Sequence, residues 1–169
     1  MGTKGASGIK AYTIGSNAGD VIKKVLCNVL VIPEKAEINI PKEIAFVTDY
    51  NLFYTFPILK TLTELQRITK AHFHVTNVSN NNINLTTSQE KNKAYLLEYL
   101  RETATNAYDF HHINDKSTKT AILDFVDDNR VDMLTMVAKN LNFFQQLLFD
   151  TTIEKLSFHT TIPLLVLHE

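Results

Sequence analysis

The chain is poor in several residue types, and each scarcity excludes a class of protein. It has one cysteine, Cys27, so no disulfide can close within it, and such usage fits a reducing compartment. Charge of either sign is nearly balanced at a net −1, which excludes a surface that grips nucleic acid by neutralising phosphates. No uninterrupted apolar run approaches the ~20 residues needed to cross a bilayer, and no basic-then-apolar leader is found. The expected location is therefore cytoplasmic, and neither nucleic acid nor membrane is an expected partner. Glycine is scarce too, with five in 169 residues, and Gly2, Gly5, Gly8 and Gly15 all stand in the first sixteen positions.

What is present suits a globular protein. The apolar fraction is 44%, and the length leaves about 40 residues beyond a domain of ordinary size. Strand-like and helix-like patterns alternate. A capping serine and Ala18, Val21, Ile22 and Val25 at helical spacing predict a short helix over 15–25, followed by a strand over 28–32. The charged stretch from Pro33 to Glu43 carries two prolines and reads as a linker, bounded at 34–42. Strands are then expected over 43–49, 72–78, 108–113, 131–138 and 163–168. Helices are expected over 57–70, 88–105, 117–129 and 151–158, with a long asparagine-rich loop over 79–87. Such alternation means βαβ units, so the expected fold is α/β: a five-stranded, mainly parallel sheet with helices on both faces. Ligands of such sheets sit at the strands' carboxyl ends near the switch point, here Asp49 and the loop after Ala138.

The sequence also repeats itself. Residues 1–32 lie on 136–167 without a gap at a constant offset of 135. Met1 meets Met136, Lys4 meets Lys139, Ser16 meets Thr151, Leu30 meets Leu165 and Val31 meets Val166. One ending occurs twice. Residues 1–33 therefore read as the end of a first domain, 34–42 as linker and 43–169 as a complete second domain.

The opening segment carries a G-x2-G-x9-G-S spacing in Gly2, Gly5, Gly15 and Ser16. Glycines turn a loop so that several backbone N–H groups face one concavity, and a helix start beyond it favours phosphate. This spacing, with the strand-like CNVLVIP that follows, resembles the universal stress protein family, although Asn28 stands where that family usually has proline. The resemblance implies an adenine nucleotide alpha hydrolase-like fold and a loop that wraps the phosphates and ribose of ATP. Its candidate residues are Gly2, Thr3, Lys4, Gly5, Gly15 and Ser16. It also implies that the last strands of two such domains pair antiparallel, so that residues 29–32 add to the sheet edge at 164–167, and that the chain forms a homodimer through such strands.

The second copy has lost this loop. At offset 135 the glycines become Val137, Asn140, Phe143 and Asp150, ahead of Thr151, and Asp150 places negative charge where phosphate would lie. No cofactor is expected there, and ATP is conceivable only at the first loop, were its missing half supplied. Asp49 matches the family's first-strand aspartate, while a strand-end residue making local hydrogen bonds is the plainer reading. Leu141, Phe143, Phe144, Leu147, Leu148 and Phe149 suit a buried protein contact or, as an alternative, an apolar-ligand pocket.

Other constellations read as structural. His72 and His74 share one strand face and His111 and His112 adjoin each other, yet zinc would need a third convergent ligand, so no metal is expected. Asp124, Asp127 and Asp128 read as a solvated face. No nucleophile elbow, paired carboxylate or Ser-His-Asp order stands out, so catalysis is not expected. Two functions are carried forward: a stress-type regulatory protein whose complete domain serves pairing, and an ATP-binding switch or weak ATPase that uses the first loop in an assembled dimer.

Overall fold

The run Glu43–Thr48, EIAFVT, is buried at every position after the first, which marks a strand covered on both faces, and it lies inside the sheet as β2. The computed structural model describes residues 21–22, 24–33, 35–79, 84–105, 107–114, 117–138 and 161–169. Within them the order is β1 (Val29–Val31), β2 (Glu43–Thr48), α1 (Phe56–Thr69), β3 (His72–Ser79), α2 (Thr87–Thr103), β4 (Tyr108–Asn114), α3 (Thr118–Asp128), β5 (Met133–Val137) and β6 (Leu164–Leu167). The strands form one sheet in the order β1-β6-β5-β2-β3-β4.

Strands β2 to β6 are mutually parallel, which supplies the five strands expected from the βαβ pattern. A sixth, β1, joins the β6 edge antiparallel, with Val29 opposite Val166, Leu30 opposite Leu165 and Val31 opposite Leu164. The strand count thus exceeds the expected five because residues Val29–Val31 add to the edge of the parallel sheet. An uncovered edge would expose unpaired N–H and C=O groups, and β1 covers this one.

Local signals agree with the elements they bound. Pro57 stands in the first turn of α1, where its missing N–H costs nothing, and Lys70 closes that helix in the left-handed region at φ 58°. Thr86 and Gln89 form a capping box at the start of α2, and Ser117 caps α3 through the N–H of Thr120. Alternation along the strands separates two cores. On one face α3 lays Ile122, Phe125 and Val126 against Ala45, Val47 and Leu134, joined by Ile22 from the helical residues before β1. On the other, α1 and α2 bring Ile58, Leu59, Leu62, Leu96 and Leu100 onto Ile44, Phe46, Phe73 and Val75. Leu59 is fully buried, and a side chain of that size contributes roughly 1.5–3 kcal/mol by leaving water.

The strand order reverses between β2 and β5, so the crevice of the parallel sheet opens beyond Thr48 and Val137. The helix expected over 151–158 lies outside the described residues.

Candidate functional site

At the carboxyl end of β2 the chain turns sharply and buries two tyrosines beside Thr48. Tyr50 adopts φ 59°, a left-handed conformation that a bulky residue holds only where its surroundings impose it. Its N–H donates to Thr48 Oγ1 at 3.1 Å, and its carbonyl accepts from Asn92 Nδ2 at 2.9 Å. Tyr54 is fully buried, with its hydroxyl 2.6 Å from Thr48 Oγ1 and its ring edge-on to Phe46. Burial, with the Glu90 carboxylate adding to it, pushes the Tyr50 hydroxyl up to about 12. Burial raises Tyr54 as well, against the opposing hydrogen bond from Thr48. Both phenols stay neutral at any physiological pH.

Asp49, the strand-end carboxylate, is engaged locally. Oδ1 accepts the N–H of Asn51 and Oδ2 accepts Asn51 Nδ2, both at 2.9 Å. Its carbonyl accepts Gln89 Nε2 at 2.8 Å, so the residue that completes the capping box of α2 also clamps the β2 loop. Val137 is buried in β5. Asn140, Asp150 and Thr151 of the second loop, Gly2, Thr3, Lys4, Gly5, Gly15 and Ser16 of the first, and the apolar run over 141–149 lie outside the described residues.

Beside this crevice runs a chain of three polar side chains on β3 and β4. Asn77 is buried and donates its Nδ2 to the Thr48 carbonyl at 3.0 Å, which turns its Oδ1 towards His112 Nδ1 at 2.8 Å. The proton is therefore assigned to Nδ1, and Nε2 faces Ser79 Oγ at 3.3 Å as an acceptor. Hydroxyl, imidazole and orienting amide stand in the order used by nucleophilic hydrolases, an arrangement invisible in the sequence because its members come from separate strands.

A second cluster occupies the opposite, amino-terminal end of the same strands. Parallel pairing sets Glu43 beside His72 and His74 beside Asp109, and the period of two puts His72 and His74 on one face. Glu43 Oε2 lies 3.2 Å from His72 Nδ1 and 2.9 Å from His74 Nε2. His72 Nε2 lies 3.0 Å from Asp109 Oδ2, and His74 Nδ1 lies 3.1 Å from His111 Nε2. Phe125 of α3 packs edge-on against the His74 and His111 rings at 5.7 and 4.8 Å. Burial, and next the neighbouring His74, holds His111 below the usual histidine range, with Asp109 pulling the other way. The sequence placed two histidines on one face, and the third convergent group is Glu43: its oxygen and one nitrogen from each ring lie within 4.8 Å of one another. Its distance along the chain hid it.

Among the described residues no helix is long and apolar enough to cross a membrane. No family model and no curated protein matches the sequence. Among solved structures, a universal stress protein in complex with cAMP aligns with a TM-score of 0.49 at 8% identity, covering 76% of this chain and 97% of its own. A universal stress protein from Archaeoglobus fulgidus aligns with a TM-score of 0.43 at 12% identity, covering 57% of this chain and 74% of its own.

Proposed function

We propose that the chain is a regulatory binding protein of the universal stress type, acting in stress response. In this reading the domain over 43–169 serves pairing and assembly, and residues 1–33 belong to a first domain of the same kind. The observation that carries it is the register of β1 on β6. At the repeat offset of 135, Leu30 is the counterpart of Leu165, and these two residues are direct partners. Val29 pairs with Val166, the counterpart of Val31, while Val31 pairs with Leu164, the counterpart of Val29. Equivalent strands that meet so that i contacts j and j contacts i are related by a local two-fold axis, the relation of an isologous interface. The expected assembly is a homodimer in the cytoplasm; because β1 occupies the β6 edge of its own chain, the same pairing between chains takes place by exchange of β1 onto the partner's β6.

Two features at the carboxyl end of β2 support pairing over nucleotide binding in this domain: Tyr50 and Tyr54 are buried against Thr48, and Asp49 is engaged by Asn51. The alternative function, an ATP-binding switch or weak ATPase, draws on Gly2, Gly5, Gly15 and Ser16 in the first repeat. Calorimetric titration of ATP with magnesium, and separately of cAMP, into the chain and into a Gly5→Val, Gly15→Asp variant decides between them. The pairing reading expects no binding heat in either protein. Binding by the parent that vanishes in the variant would establish the switch.

A further inference from the structure

We propose that Glu43, His72 and His74 form a binding site for one divalent transition-metal ion of the zinc class, with Asp109 and His111 orienting the two imidazoles. The site goes beyond the pairing function and does not depend on it.

The donor set is two imidazole nitrogens and one carboxylate oxygen, which suits zinc and its neighbours. Magnesium and calcium take oxygen ligands instead. Ligand atoms of a tetrahedral zinc ion at ~2.0–2.1 Å lie roughly 3.3 Å apart. Glu43 Oε2 already stands 3.2 and 2.9 Å from the two ring nitrogens, so seating an ion calls for small side-chain adjustments on a rigid sheet.

Each ring is also fixed from behind. A metal-bound histidine usually gives its other N–H to a carboxylate or another acceptor, which sets the tautomer and the ring plane. His72 Nε2 faces Asp109 Oδ2 and His74 Nδ1 faces His111 Nε2, leaving His72 Nδ1 and His74 Nε2 aimed at one point. Donor counting adds a further argument. His72 has a carboxylate oxygen within reach of both nitrogens, while a neutral imidazole has a single N–H to give. A cation shared by Nδ1 and Glu43 resolves that contact; a protonated His72 is the rival solution.

Burial is graded in the way an accessible site requires. The His74 side chain is 7% exposed and packed on Phe125, whereas His72 and Glu43 are 29% and 36% exposed, which leaves an entry path and a fourth position for water.

The test is calorimetric titration of zinc chloride into the chelator-stripped chain, with magnesium as comparison and cobalt absorption as a report on geometry. One equivalent of zinc is expected, with four-coordinate cobalt bands, a raised Tm and no binding of magnesium. Glu43→Gln and His72→Ala should each weaken zinc at least tenfold and Asp109→Asn about tenfold, the scale of losses at orienting partners. Cys27→Ser and His112→Ala should leave affinity unchanged. Failure of the stripped chain to bind zinc, or equal binding by Glu43→Gln and His72→Ala, would overturn the site and leave the protonated His72. Should a variant lose its far-UV circular dichroism, the His72 and His74 ring resonances of the parent decide: movement with one equivalent of zinc supports the site, and unmoved resonances overturn it.

Discussion

The backbone N–H of His168 donates to the side-chain Oδ1 of Asn28 at 2.9 Å, a bond between residues 140 positions apart. It closes the end of the β1–β6 ladder next to the Val29–Val166 pair. Proline, the residue the family resemblance favours at this position, offers no side-chain acceptor, so Asn28 is what lets β1 be tied at that point.

Replacing Asn28 with alanine removes that acceptor and should cost about 0.5–1.5 kcal/mol, the usual net worth of one such bond. Amide exchange at His168 should accelerate, while that of β2 and β3 in the middle of the sheet should keep its protection. Unchanged exchange at His168 would show that the bond does not hold the edge.

Gln66 performs a similar task inside the domain. It is buried, its Nε2 donates to the Ala107 carbonyl at 3.3 Å, and its Oε1 accepts the Thr105 N–H at 3.1 Å, so it pins the turn between α2 and β4 onto α1. Gln66→Leu keeps the volume but removes the partner of the Thr105 N–H and leaves the Ala107 carbonyl to the Phe73 N–H alone, and should destabilise by about 1–3 kcal/mol in urea unfolding. A change within ±0.5 kcal/mol would mean that water replaces the amide.

Two histidines set an acid limit on stability. Burial first, and the neighbouring His74 and His72 next, lower the pKa of His111 against the opposing Asp109, and burial lowers that of His168. A depressed folded-state value means that the unfolded chain takes up protons first. The contribution of each group is therefore fully present above the unfolded value near 6.5 and is lost as pH falls through the folded value. The urea midpoint should decline as pH is lowered from 7.5 towards 5, and His111→Asn should flatten that decline. A midpoint that rises on acidification would contradict the assignment.

Ser79, His112 and Asn77 stand in the order of nucleophile, base and orienter, yet the 3.3 Å separation of Ser79 Oγ from His112 Nε2 is long for an activated hydroxyl. In keeping with a non-enzymatic reading, a fluorophosphonate probe should leave Ser79 unlabelled at neutral pH. Labelling that disappears in both Ser79→Ala and His112→Ala would make the protein a hydrolase.

Much of the fold was legible in the residues. The alternating run at His72–Ser79 and the helical spacing that begins at Pro57 are local signals, and each lies close to the element it marks, whereas the capping box at Thr86 and Gln89 sets the start of α2 inside the stretch expected to be loop. Antiparallel addition of β1 to β6 was also expected, through the repeat and the family resemblance, and the register places Leu30 against its own counterpart.

The sites were less legible. The sequence by itself determined that two histidines share a strand face, because alternation along one strand is a property of neighbouring residues. Only the tertiary structure decided that Glu43, on the adjoining strand, completes a three-ligand set, and that Asn77, His112 and Ser79 form one hydrogen-bonded line. Lateral register between parallel strands is set by crossover helices and two buried cores, and no single stretch of chain records it.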